Sequence, residues 1–345
     1  MEYRQLGTSG EKVSLICLGT MTWGNQNTQE EGFEQMDYAL SQGVNFFDTA
    51  EMYAIPPSPE TSYKTETIIG NWFAQRGTRG DVFLATKVSG RTNSEWIRGG
   101  SVLNADNINQ AVDASLERLQ TDYIDLYQVH WPDRRLSLFG AGSPGYRHYE
   151  AEAIEIAETL EALDGLVRSG KVRYIGLSNE TPWGLSEYLR LSDLNGWARV
   201  QSVQNVYSLV ARSYEFGMSE FAYRSGVGLL AYSPLAQGYL TGKYRGGALP
   251  EGSRKQMFQR LGRYETPQAQ QAIERCLRLA DDSGLNPATM ALAFVNRQSF
   301  VHANIIGATT MEQLKLAIAS WEVKLPEDVL EGIEEIFRDC PAAAH

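Results

Sequence analysis

The chain of 345 residues predicts a single (β/α)8 barrel. Eight short runs rich in β-branched and aromatic residues recur along it, each more continuous than alternating, as parallel strands covered on both faces read. Helical patterns lie between them, and strand–helix alternation of this kind builds a parallel sheet. Two long connections, about residues 131–152 and 234–264, both follow predicted strands. They therefore fall on the C-terminal face, where barrels of this kind place their chemistry.

The elements follow in order. YRQLG-TSGE-KVSLI reads as a hairpin over residues 1–13, with Gly7 to Gly10 in its turn, placed to plug the bottom of the barrel. The strands are expected at 14–19, 44–50, 81–87, 123–130, 172–178, 199–205, 226–233 and 304–308. Asp106 is positioned to cap a helix whose Ile108, Val112, Leu116 and Leu119 share one face. Ile154, Ala157, Leu160, Leu163 and Leu166 form a second such stripe. Thr181-Pro182 and Asn286-Pro287 each read as an N-cap followed by proline at the first helical position. No repeat beyond the βα period, low-complexity tract or linker divides the chain, so one domain over 1–345 is expected.

Composition narrows the function. A hydrophobic content of 43% supports a large core, and a net charge of −11 argues against a nucleic-acid surface. The N-terminus lacks the apolar core of a signal peptide and no run approaches a membrane span, so a soluble cytoplasmic protein is expected. Cys17, Cys276 and Cys340 are odd in number and far apart, which speaks against a disulfide framework or thiolate zinc site. The four histidines, His130, His148, His302 and His345, form no zinc-binding pattern, so metal-free chemistry is expected. Gly140-Ala141-Gly142-Ser143-Pro144-Gly145 matches the dinucleotide fingerprint, but it joins no strand directly to a helix and contains a proline. It is set aside.

Polar residues at the predicted strand ends carry the chemistry: Asp48 and Tyr53 in FFDTAEMY, Lys87 in VFLATK, and His130 in DLYQVH. Reducing a carbonyl requires a proton for the oxygen as hydride reaches the carbon. Tyrosine, with a pKa near 10, is a reluctant acid, and a neighbouring ammonium favours tyrosinate and lowers that value. A buried ammonium needs a counterion, which Asp48 supplies. A neutral histidine can hold the carbonyl oxygen by a hydrogen bond.

With these residues in view, the chain resembles the aldo-keto reductase superfamily. FFDTAEMY, ATK, YIDLYQVHWPD, YIGLSN, QNVYS and YSPLAQGYLTGKY carry the resemblance, in order, over about residues 1–330. The long post-histidine loop and the SPLAQGYLTGKY segment are similar to the branch of potassium-channel β subunits and bacterial Tas-type reductases. NETPWG and IIGATTMEQLK match the Tas-type proteins best. The resemblance implies a catalytic tetrad of Asp48, Tyr53, Lys87 and His130, with NADPH as cofactor and a small carbonyl compound as substrate. It further implies that Ser178, Asn179 and Gln204 hold the nicotinamide and that Tyr232 stacks on it, where the channel subunits carry tryptophan. Ser233, Leu235, Gly238 and Lys243 would line the pyrophosphate, and Arg254 the ribose phosphate. Gly307, Thr309 and Gln313 open a helix whose free N–H groups suit an anion. Gly19, Thr20 and Trp23 complete the cofactor set. Leu316 and Ala317 stand where relatives carry an acid and an asparagine, so adenine recognition is expected to differ.

Trp23 and Trp131, with Tyr53 and Met52, are expected to ring an aromatic or apolar substrate pocket. Arg134, Arg135, Arg147 and His148 read as a solvated loop rather than an acid-binding site. Two functions stay open: an NADPH-dependent aldehyde or ketone reductase, and an NADPH-holding regulatory sensor with little turnover. A barrel glycosidase has less support, because Asp48 lacks a second carboxylate among the strand ends. The subunit number is open, homo-oligomers included.

Overall fold

The computed structural model describes residues 1–137, 148–258, 262–341 and 343–344. The dinucleotide-like Gly140–Gly145 segment, Arg147 and His345 lie outside the described residues. Strands β1 (Tyr3–Gln5) and β2 (Lys12–Ser14) pair antiparallel as the predicted hairpin. Eight strands follow: β3 (Ile16–Gly19), β4 (Phe46–Asp48), β5 (Phe83–Val88), β6 (Ile124–Val129), β7 (Val172–Ser178), β8 (Val200–Val206), β9 (Gly228–Tyr232) and β10 (Val301–Ile306). They run parallel and close into a barrel, β10 pairing with β3.

Helices cover the outside: α1 (Gln29–Ser41), α2 (Lys64–Arg76), α3 (Ala105–Leu119), α4 (Ile156–Arg168), α5 (Pro182–Asn195) and α6 (Met218–Ser225). Then come α7 (Arg254–Phe258), α8 (Pro267–Asp282), α9 (Pro287–Asn296), α10 (Met311–Ala319) and α11 (Glu327–Asp339). The second long connection is thus not structureless, since it contains α7 and several 3-10 turns. Among the described residues no helix is long and apolar enough to cross a membrane.

All eight predicted strands are present, and every residue of β5 and β6 is buried, which explains their uninterrupted apolar runs. The last strand begins at Val301 rather than Asn304. Its early polar residues hide the pattern because their partners lie outside the strand. His302 Nδ1 accepts the Gly7 N–H at 3.3 Å, and Asn304 donates to the Asn296 side chain at 2.8 Å.

Helix starts match the sequence reading at Thr181 and Asn286, whose side chains accept from Gly184 and Thr289. At α3 the cap is Asn104, and Asp106 instead lies in the first turn, where its charge suits the helix dipole. Ile108, Val112 and Leu119 are buried as expected. Ile154 precedes α4, and its N–H is held by Asp133 at 2.8 Å.

The hairpin seals the lower end. Leu6 and Val13 pack with Cys17, Phe46, Leu126 and Leu230 in a core inside the barrel. Phe46 meets Phe83 edge to face with 5.4 Å between ring centroids. Arg4 donates to the carbonyls of Asn296 (2.6 Å), Gln298 (2.9 Å) and Val301, joining the hairpin to the last βα unit. A second, larger core fills the space between barrel and helices.

His302 shares this lower end. A Cβ on Gly228 would overlap its imidazole, so β9 needs glycine there. Burial, aided by the Arg4 cation, brings His302 down to about 4. Unfolding returns it to about 6.5, so the unfolded chain binds the additional proton between those values. Its contribution to stability is therefore present above pH ~6.5 and falls by roughly 3 kcal/mol as pH drops to ~4. His302→Asn keeps an acceptor for Gly7 but cannot titrate. Urea unfolding across that window should show a slope smaller than wild type by up to about 1.4 kcal/mol per pH unit. Parallel slopes would clear His302 of this role.

Candidate active site

Strand register brings the predicted residues to one level at the C-terminal rim. Asp48 on β4 pairs with Gly19 and Ala85, Lys87 on β5 pairs with Gln128, and Ser178 on β7 pairs with Gln204. Tyr53 follows β4 on a turn closed by its N–H to the Ala50 carbonyl at 3.0 Å. His130 follows β6 directly, and its N–H bonds to the Val88 carbonyl at 2.9 Å.

The Lys87 ammonium uses all three donors: Asp48 Oδ2 at 2.7 Å, the Thr49 carbonyl at 2.7 Å and the Tyr53 hydroxyl at 3.4 Å. Its side chain is 0% exposed and that of Asp48 is 3% exposed, so the ion pair lies out of water. The His130 ring meets Tyr53 edge to face at 5.6 Å and Trp131 at 5.0 Å between centroids. The structure therefore brings Asp48, Tyr53, Lys87 and His130 into one cluster.

Electrostatics correct one expectation. Burial pushes the Tyr53 hydroxyl above its ordinary value, and Lys87 offsets only part of that rise. The sequence argument weighed the lysine without the desolvation of an enclosed hydroxyl. Tyr53 therefore holds its proton at neutral pH. Burial also opposes the Lys87 charge, but Asp48 and Tyr53 outweigh it and its pKa stands above that of an ordinary amine. His130 is held well below its usual value, first by burial and then by Lys87, so the imidazole is neutral.

Several residues at the rim carry no local sequence signal. Glu51, fully buried, accepts from the Ser89 N–H (2.7 Å) and takes two bonds from Arg98 (2.6 and 3.0 Å). It ties the Tyr53 turn to the loop after β5. Asp133 accepts from the N–H groups of Leu103 and Ile154, both at 2.8 Å, and from Arg91. Gln128 donates to Asp48 at 3.1 Å. Gln26 donates to the Gly252 carbonyl at 3.4 Å, joining the loops after β3 and β9. The acid two residues before Tyr53 was the one available hint, and only Arg98 gives it meaning.

The predicted cofactor residues divide into two groups. Asn179 donates to the His130 carbonyl (2.9 Å) and accepts from the Tyr232 hydroxyl (2.7 Å), while Ser178 donates to the Gln204 carbonyl (2.8 Å). Ser233, Ala236, Gln237 and Gly238 all have left-handed backbone. A Cβ on Gly238 would come within 2.6 Å of Lys243, so glycine permits both the fold and the close approach. Leu235 is half-buried beside them, and Arg254 starts α7. Thr309 and Gln313 bond to each other at the start of α10, next to exposed Gly307.

The other group points elsewhere. Thr20 is fully buried and bonds to the Asp48 carbonyl at 2.9 Å. Trp23 is fully buried in the outer core with its indole N–H on Gln35 at 3.1 Å, so it does not line the mouth. Its large apolar face wins a place under α1 rather than beside a ligand. Gly19 and Ala317 are also buried, and Leu316 packs on the core. Trp131 remains half-buried at the mouth beside His130, as does Met52 beside Tyr53. Arg134 pairs with Glu180 and lies 5.0 Å from the Trp183 ring, while Arg135 lies 4.6 Å from that of Tyr149.

A closed parallel barrel with an Asp–Lys–Tyr–His cluster at its C-terminal mouth defines a class, and comparison agrees. The profile of the aldo/keto reductase family matches residues 15–338, and the chain belongs to that family, whose members are oxidoreductases. It is 48% identical over 341 residues to Protein tas of Escherichia coli, covering 98% of each chain. It is 36% identical to the uncharacterized oxidoreductase YrpG of Bacillus subtilis, covering 98% of this chain and 96% of that one. With versiconal hemiacetal acetate reductase of Aspergillus parasiticus it shares 31% identity over 100% of this chain and 99% of the relative.

The buried ion pair makes a stability prediction. Lys87→Met should fold less stably by about 3–5 kcal/mol, because Asp48 is left charged without its cation. Asp48→Asn with Lys87→Met together should recover much of that loss. Thermal unfolding of the two variants checks this, and a single variant as stable as wild type would disprove the coupling.

Proposed function

We propose that the protein is an NADPH-dependent reductase that converts an aldehyde or ketone to an alcohol, with Tyr53 as proton donor. The observation that supports this best is the Tyr53 hydroxyl, protonated yet within 3.4 Å of a buried ammonium. That pairing makes an acid whose conjugate base is stabilised where it forms. When bound at the mouth, the cofactor would supply the hydride for the carbonyl carbon. Tyr53 gives its proton to the oxygen, and Lys87, backed by Asp48, balances the charge left behind. Neutral His130 orients the carbonyl oxygen without competing for the proton.

The residues present fit the dinucleotide. Ser178, Asn179 and Gln204 take the nicotinamide carboxamide and Tyr232 takes its face. Ser233, Leu235, Gly238 and Lys243 would hold the pyrophosphate, where the Lys243 cation lies beside a left-handed loop that glycine keeps open. Arg254 takes the 2′-phosphate, and Gly307, Thr309 and Gln313 the adenosine side. Thr20 and Trp23 support this site from behind through the β4 carbonyl and α1. Trp131 offers an apolar wall to the substrate. The relative named as a reductase agrees with this direction of reaction.

Two measurements test the reading. With a panel of aromatic and aliphatic aldehydes, Tyr53→Phe should lose roughly 100-fold or more in NADPH turnover while binding NADPH as wild type does. Retained activity removes Tyr53 from its role. Tight NADPH binding by wild type without turnover on any aldehyde would make the protein a cofactor-holding regulator. Separately, Arg254→Ala should raise the Kd for NADPH about ten-fold more than that for NADH. Equal weakening would mean that Arg254 does not read the 2′-phosphate.

A further inference from the structure

The second oxygen of Asp48 has its own partners. Oδ1 accepts from Gln204 Nε2 at 2.8 Å and from Gln128 Nε2 at 3.1 Å. Gln204 Nε2 also donates to Gln128 Oε1 at 3.3 Å, which closes a ring of three buried side chains. Chemistry fixes the direction of each bond. A carboxylate only accepts, so both amides must turn their N–H2 groups to it. Gln204 thereby commits one N–H to Asp48 and the other to Gln128. Among the described residues no donor reaches its Oε1. Gly176 gives Gln128 its space, since a Cβ there would lie 3.1 Å from the Gln128 Cγ.

We propose that Gln128 is a positioning residue: by accepting the second Gln204 N–H it locks that amide with only its oxygen facing the mouth. The site then recognises a cofactor carboxamide through the N–H2 of that group. This rests on the nicotinamide reading above. Without Gln128, one Gln204 N–H is unsatisfied, and the amide, held only by Asp48, is free to tilt that N–H toward the mouth beside its oxygen. Gln128 itself touches no reacting atom.

The test compares binding of NADP+ with that of its 3-acetylpyridine analogue, which keeps the carbonyl but lacks N–H2. Both are followed by quenching of protein fluorescence, without turnover. Wild type should prefer NADP+ about ten-fold, the worth of one good buried hydrogen bond. Gln128→Leu, nearly equal in volume, should shrink that preference to about two-fold. Gln128→Glu, while protonated, can still donate to Asp48 and accept from Gln204. It should keep the preference near pH ~5, where the added carboxyl is protonated. A general loosening of the site weakens both ligands alike and leaves the ratio unchanged. Wild type binding both ligands, with the ratio unchanged in Gln128→Leu, overturns the proposal alone. Wild type binding neither overturns the nicotinamide reading and this proposal with it.

Discussion

A lysine ammonium with no exposure to water must be surrounded by partners, or it loses its proton. Lys87 solves this with one carboxylate, one carbonyl and one phenol, and each solution constrains another element. β4 has to end at Asp48, the turn after it has to aim Thr49 inward, and Tyr53 has to return to the same point. The register between β4, β5 and β6 fixes the level at which these groups meet. Because the ammonium is saturated, it cannot wander to other acceptors. The oxygen of Tyr53 therefore faces a charge of constant position, which is what a preorganised site requires.

Around this centre, buried acids hold the loops. Glu51 and Asp133 each join one backbone segment to another and take an arginine as counterion. Glu180 pairs with Arg134 in the same way beside α5. Removing one member of such a pair costs more than the pair contributes in net stability, because the other charge stays buried. Their use here is geometric. They set the walls of the mouth from outside the barrel and leave its interior layer to the ion pair and the two glutamines. Chemistry and access are thus carried by separate sets of residues.

What could be read from the sequence follows from the range of each interaction. Strands buried on both faces announce themselves as apolar runs, and Thr181-Pro182 and Asn286-Pro287 announce helix starts within three residues. Asp48, Tyr53, Lys87 and His130 were legible because strand ends of a barrel share one face. The choice of Asn104 over Asp106 as cap was not, since both residues have the required chemistry. Trp23 carried no local mark of which way its ring would turn. Gln128 and Glu51 depend on partners between 38 and 80 residues away, where no pattern in the chain points. Tyr53 shows the same limit in its charge: the lysine was visible in the sequence, the desolvation was not.

The contact between Arg4 and the carbonyls of Asn296, Gln298 and Val301 also bears on how the chain assembles. It spans 292 to 297 residues, nearly the longest separation this sequence offers. Closure of a loop that long brings an entropy penalty before any contact rewards it. Leu6 and Val13 share their core with residues from β3 to β6 but also with Leu230 on β9 and Ala303 on β10, so their cover is complete only when the ring closes. The base of the barrel is therefore complete only where the two ends of the chain meet.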